Sequence, residues 1–187
     1  PKNFDELITA RDIEALKAVY DKCELTAHDG RYSLNTALHF GGVPDELVIW
    51  LVEQGLDVNT PDYYGRTPLY THATLGRDTV KLLYELGGDI QKTDTYGSTP
   101  LHTAARFFRP KIVSFLIEKG ADVNPKTVMG RTPLAEALAT CRQINIAQVA
   151  EIAEMLIKAG AEVTPDMAER VELIGKDFEF HREKFNR

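Results

Sequence analysis

With 187 residues, 43% hydrophobic and 27% charged, the chain has the composition of an ordinary soluble globular protein. Its formal net charge of −6 argues against nucleic acid or an anionic membrane surface as partner, since both select basic patches. No apolar run approaches the roughly 20 residues that cross a bilayer, and no charged-then-apolar signal segment opens the chain. Residues 4 to 22 predict two short helices. Phe4 and Leu7 to Ala10 supply the first, and Ile13, Leu16, Val19 and Tyr20 place apolar groups on one face of the second. Glu6, Arg11, Asp12, Glu14 and Lys17 supply the solvated side that an end unit requires. An irregular loop follows over residues 23 to 35, with Asp29-Gly30 as its turn signal.

From Thr36 to Asn59 the pattern is compressed. Gly41-Gly42-Val43-Pro44 falls between two helical segments, which predicts a shortened inner helix. Pro44 then starts the outer one, with Asp45 and Glu46 favourably placed in its first turn. Trp50, among Leu47, Val48, Leu51 and Val52, reads as core between units rather than as a ligand platform. A third helical pair runs from Thr67 to Gln91. The fourth is the fullest. Thr99 is an N-cap, Pro100 sits at the first helical position, and a short helix reaches about Arg106. The second helix of that pair, from about Pro110 to Lys119, carries Ile112, Val113, Phe115, Leu116 and Ile117, and Gly120 ends it in left-handed backbone. The fifth pair has seven extra residues between Thr132 and Gly160, located in Ala139 to Val149. Thr164-Pro165-Asp166 then begins a terminal helix. Met167, Val171 and Ile174 form its apolar side, and Glu169, Arg170, Glu172 and Lys176 its wet side. Phe178, Phe180 and Phe185 either pack back on this cap or join a partner site.

Two phrases recur in register. Thr36-Ala37-Leu38-His39, Thr67-Pro68-Leu69-Tyr70, Thr99-Pro100-Leu101-His102 and Thr132-Pro133-Leu134-Ala135 open successive units at steps of 31, 32 and 33. Gly55-Leu56-Asp57-Val58-Asn59, Gly87-Gly88-Asp89-Ile90-Gln91, Gly120-Ala121-Asp122-Val123-Asn124 and Gly160-Ala161-Glu162-Val163 close them. In this period and these phrases the chain resembles the ankyrin-repeat family over nearly its whole length. The resemblance implies an all-α solenoid with short β-hairpin-like loops, forming one domain over residues 1–187. Its parts are an N-terminal cap and loop (1–35), repeats at 36–66, 67–98 and 99–131, an extended repeat (132–163) and a C-terminal cap (164–187). It also implies a protein partner. His39 and His102 are expected to link loop and helix by hydrogen bonds. His72 occupies the place of a small Ala, where it fills space left by the shortened unit or lines the groove.

The family pattern D-x-x-G-x-T-P leaves free positions at each hairpin tip. Here they are Tyr63, Tyr64 and Arg66, then Thr95, Tyr96 and Ser98, then Val128, Met129 and Arg131. Tyrosine, methionine and arginine on exposed tips match the composition of protein-binding hot spots. Tyr63 and Met129 are read as partner contacts. For Tyr64 and Tyr96, partner contact and stacking over the neighbouring loop stay open. Asp62 and Asp94 keep the acid that organises each turn, and Thr127 replaces it in the third. Arg106 and Phe107 fall at positions that the resemblance assigns to binding on the inner-helix face. Phe108 replaces the usual Gly, and either packs beneath the extended fifth unit or is exposed as part of a binding surface. The expected binding residues are therefore Tyr63, Tyr64, Arg66, Tyr96, Ser98, Arg106, Phe107, Val128, Met129 and Arg131.

Catalytic apparatus is missing from the sequence. It holds no G-x-S-x-G, H-E-x-x-H or G-x-x-x-x-G-K-[ST] motif, and no cofactor is expected. Cys141 is the lone candidate nucleophile, with only Arg142 beside it to lower a thiol pKa. Cys23 and Cys141 lack metal-like spacing and read as idle thiols in a reducing, cytoplasmic setting. The functional expectation is a monomeric, non-catalytic module binding a partner protein through hairpin tips and inner helices. The alternative is a dedicated inhibitor or immunity-type protein that covers the active site of a toxin or enzyme.

Overall fold

Threonine and proline set where the helices begin. Thr67, Thr99 and Thr132 hold extended backbone as N-caps, and each side-chain oxygen accepts an N–H from three residues on, in Tyr70, His102 and Ala135. Such a cap is worth about 1 kcal/mol. The proline that follows each occupies the first helical position, where its missing N–H is no loss. The computed structural model describes the backbone of residues 4–20 and 36–185. Cys23, His28 and the Asp29-Gly30 turn lie outside the described residues, as do the side chains of Phe178, Phe180, His181 and Phe185.

Two compact units divide the chain, Pro1–Thr95 and Tyr96–Arg187. The first contains α1 (Phe4–Ala10), α2 (Ile13–Tyr20), a 3-10 turn at Ala37–His39, α3 (Asp45–Glu53), α4 (Pro68–Leu75) and α5 (Thr79–Glu85). Helix α1 packs on α2, α2 on α3, and α4 on both α5 and the 3-10 turn. Leu16, Leu38, Leu47, Leu51, Leu69 and Leu83 are fully buried. Trp50 is half-buried, its ring 6.4 Å from that of Tyr20, which agrees with a packing role. The compressed second repeat has the shortened inner helix that its glycines predict, reduced to the 3-10 turn. Pro44 is the N-cap of α3 rather than its first residue.

The second unit contains α6 (Pro100–Arg106), α7 (Pro110–Glu118), α8 (Pro133–Ala139), a 3-10 turn at Gln143–Asn145, α9 (Ile146–Lys158) and α10 (Pro165–Phe185). Helix α6 packs on α7 and α8, α9 on α7 and α8, and α10 on α9 and α8. Leu101, Leu116, Leu134, Ile152 and Leu156 form its fully buried core. The extra length of the fifth repeat divides between two places. Its inner helix has seven residues, as in the fourth repeat, but the connection has six where the fourth has three. Its outer helix has 13 residues against nine.

Closing phrases carry their own logic. Gly55, Gly120 and Gly160 adopt φ of 98°, 83° and 95°, which a side chain would oppose. Just beyond, an asparagine clamps the end of the next repeat's outer helix. Asn59 donates from Nδ2 to the Gly87 carbonyl at 3.0 Å and accepts the Asp89 N–H at 2.8 Å. Asn124 does the same to Gly160 and Glu162, at 3.0 and 2.7 Å. Each clamp engages the carbonyl of the glycine just past the helix end.

Candidate protein-interaction surface

The hairpin tips are fixed from below by the opening phrase of each repeat. In His39, Nδ1 accepts the Thr36 N–H at 3.2 Å, so the proton lies on Nε2, which donates to the Arg66 carbonyl at 3.0 Å. His102 repeats the arrangement with Thr99 and Arg131, at 3.1 and 3.0 Å. Both rings are buried, and burial lowers the His39 pKa below its ordinary value, which keeps this neutral pattern in place. The loop-to-helix role expected for the two histidines is therefore what they perform. Tyr70 replaces histidine in the third repeat and instead donates its hydroxyl to Asp94 at 3.1 Å.

Within the first tip, Asp62 is buried and fully engaged. Its Oδ1 accepts the N–H groups of Tyr64 and Arg66, at 2.8 and 2.9 Å, and its Oδ2 accepts Arg66 Nε at 2.8 Å. Arg66 is thus occupied inside its own tip, with its guanidinium 4.7 Å above the Tyr64 ring. Tyr63 meets Tyr64 edge-on at 5.2 Å and remains 64% exposed. The Tyr64 carbonyl accepts the Thr95 N–H at 2.9 Å, so Tyr64 has a stacking role through its backbone while its ring stays partly open.

In the second unit, the Tyr96 carbonyl likewise accepts the Val128 N–H at 2.9 Å. The Tyr96 ring is exposed and Ser98 is half-buried. Thr127 preserves the turn that Asp62 makes. Its backbone N–H donates to the Arg131 carbonyl at 3.0 Å, and its hydroxyl accepts the Arg131 N–H at 3.2 Å. Val128 and Met129 sit on this closed turn with 72% and 73% of their surface in solvent. A rigid backbone presenting large exposed apolar side chains is the geometry that hot spots use, because little ordering remains to be done on binding.

Arg106 and Phe107 end α6, both exposed, with the guanidinium 5.8 Å from the Phe107 ring. Phe108 is half-buried and adopts φ of 57°, where the third repeat has Gly76 at 69°. Left-handed backbone at a residue with a Cβ costs about 1–2 kcal/mol, which explains the glycine of the family pattern. One residue went unrecognised in the sequence. Glu136 on α8 is buried, with Oε1 3.6 Å from Arg131 Nη1 and Oε2 4.0 Å from Arg106 Nε. The available signal was its register. Glu136 aligns with Thr71 and Thr103 of the two preceding repeats, so a carboxylate there is a departure.

His72 belongs to the core and not to this surface. It is completely buried, and its Nε2 donates to the Leu38 carbonyl at 3.0 Å. Leu38 lies in an inner helix cut short to Ala37–His39, so its carbonyl needs a donor from elsewhere. His72 supplies it.

Among the described residues no group of His, Cys, Asp and Glu is disposed to hold a metal ion, and no helix is long and apolar enough to cross a membrane. Cys141 is half-buried. What the geometry defines is a class: helical-hairpin repeats joined by turns that are braced from within and carry exposed side chains. The family model for ankyrin repeats (3 copies) matches residues 7–94 and 78–166, and the chain belongs to the ankyrin-repeat family. Such repeats are generally protein–protein interaction modules and typically non-catalytic. No curated protein matches the chain.

Proposed function

We propose that this chain is a non-catalytic module that docks one partner protein through its hairpin tips and the Arg106–Phe107 corner. The observation that carries the reading is the pairing of braced backbone with exposed Tyr63, Tyr96, Val128 and Met129. Core demands do not account for Tyr63, Val128 and Met129, since each lies on a turn that its backbone already closes. Residues 1–187 are read as a single ankyrin-repeat domain, and the family matches span residues 7–166 of it. It works as a monomer in the cytoplasm. The narrower role of inhibitor draws on the net charge of −6 alone.

The test is affinity capture from lysate with the wild-type chain and a Tyr63→Ala/Tyr96→Ala variant, followed by affinity measurement on the captured protein. Each substitution is expected to weaken binding by more than about 1 kcal/mol with melting temperature unchanged. Unchanged affinity with a large fall in melting temperature assigns both rings to the stack and overturns the reading for them. Loss of the partner's own activity on binding selects the inhibitor role, and unchanged activity rejects it.

A further inference from the structure

We propose that Arg106 and Arg131, bridged by the buried carboxylate of Glu136, form a recognition point for a single carboxylate on the partner protein. That carboxylate is an Asp or Glu side chain next to an apolar residue that packs on Phe107. The proposal deepens the docking function above and rests on it.

Three observations carry it. First, the arrangement is held in place. The Arg131 carbonyl receives both the Thr127 N–H and His102 Nε2, and the Thr140 hydroxyl donates to the Glu136 carbonyl at 2.9 Å with the Arg106 carbonyl 3.3 Å away. Second, the charges do not cancel. Two guanidinium groups share one carboxylate, leaving one positive charge in a chain whose total is −6. Neither contact closes to hydrogen-bond distance, at 4.0 and 3.6 Å, so both arginines keep donors to offer. Third, the geometry decides the sign of the ligand. Glu136 Oε2 is sealed from solvent and has no hydrogen-bond partner among the described residues, whereas the Arg106 and Arg131 side chains are 57% and 44% exposed. The outward face is guanidinium, and a cationic ligand would have to displace it to reach Glu136. A planar guanidinium matches a carboxylate in a two-pronged fashion. A single negative charge fits better than a phosphate dianion, because Glu136 stays between the arginines and repels the second charge. Phe107, 5.8 Å from the Arg106 guanidinium, supplies the apolar neighbour.

The experiment selects peptides from a random phage-displayed library on the full chain and measures their affinity by fluorescence anisotropy at physiological salt. The expected peptides share an Asp or Glu beside an aromatic or aliphatic residue, and bind less tightly as salt rises. Removing both arginines alone would strand the buried Glu136 charge. The variant is therefore Arg106→Gln/Glu136→Gln/Arg131→Gln, whose melting temperature reports folding. It is expected to bind the peptides about tenfold less tightly. Glu136→Gln alone leaves two unopposed guanidiniums, and equal or tighter binding is expected. Replacing the peptide's acid by phosphoserine should weaken binding. Basic peptides lost on Glu136→Gln would overturn the proposal. So would peptides indifferent to the triple variant but lost on Tyr63→Ala/Tyr96→Ala, and that outcome leaves the docking function standing. A library that yields no binder on any arm contradicts both.

Discussion

His72 makes the stability of this chain depend on pH in a way that can be worked out in advance. Burial pushes its pKa from 6.5 down to about 4, and His39 and Arg77 act in the same direction, against the Leu38 carbonyl that favours a proton. In the unfolded chain the imidazole takes up a proton as pH falls through about 6.5, while the folded chain resists until about 4. The unfolded state therefore binds more protons across this window. Stability is fully present above pH 6.5 and is lost as pH falls towards 4. The whole shift corresponds to about 3 kcal/mol, of which about 2 kcal/mol is lost between pH 7 and pH 5. Because the ring is completely buried, solvent does not screen the effect. The perturbation is His72→Gln, which keeps a donor within reach of Leu38 and removes the titration. Urea unfolding of both chains at pH 7 and pH 5 is the assay. The wild type should lose about 2 kcal/mol more than the variant over that interval. Identical losses would refute the assignment of a neutral, buried imidazole at this position. His72→Ala is the sterner change, since it leaves the Leu38 carbonyl without its donor, and it should cost about 2–4 kcal/mol at pH 7.

Leu101→Ala should destabilise the fold by about 2–5 kcal/mol in denaturant melts, as expected for truncation of a fully buried side chain. Gly88→Ala is the reverse of a consensus repair. Ala121 and Ala161 occupy the matching positions, yet a Cβ at Gly88 would lie 2.6 Å from the Leu83 carbonyl oxygen and 2.9 Å from Leu69 Cδ1. The substitution should cost about 1–3 kcal/mol, and a gain in melting temperature would contradict the packing described for the third repeat. Thr99→Ala removes the N-cap of α6, and should cost about 1 kcal/mol by the same melts.

The helices and their order were legible because capping and proline chemistry act locally. Thr99-Pro100 and Gly120 mark the ends of the fourth repeat as plainly in sequence as in space. Positions whose partners lie a repeat away were harder. Asn59 and Asn124 recur in the closing phrase, but their grip on Gly87 and Gly160 is visible only once the repeats stack. His72 was readable as an exception to a small-residue position. Its partner was not, because the need at Leu38 arises from a helix shortened 34 residues earlier. Glu136 shows the same limit. Its register distinguished it from Thr103, but the flanking arginines come from a different helix and a different turn. Arg66 and Arg131 look equivalent in the tip pattern. They diverge because Asp62 captures one guanidinium, while Thr127, lacking charge, leaves the other facing Glu136.

A hydrogen-exchange footprint of the captured complex tests most directly whether the tips are the docking site. Slowed exchange is predicted at residues 62–66, 95–98 and 127–131 and at Arg106–Phe107, with the outer helices α5, α7 and α9 unchanged. Protection confined to those outer helices, with the tips exchanging as in the isolated chain, would contradict the account.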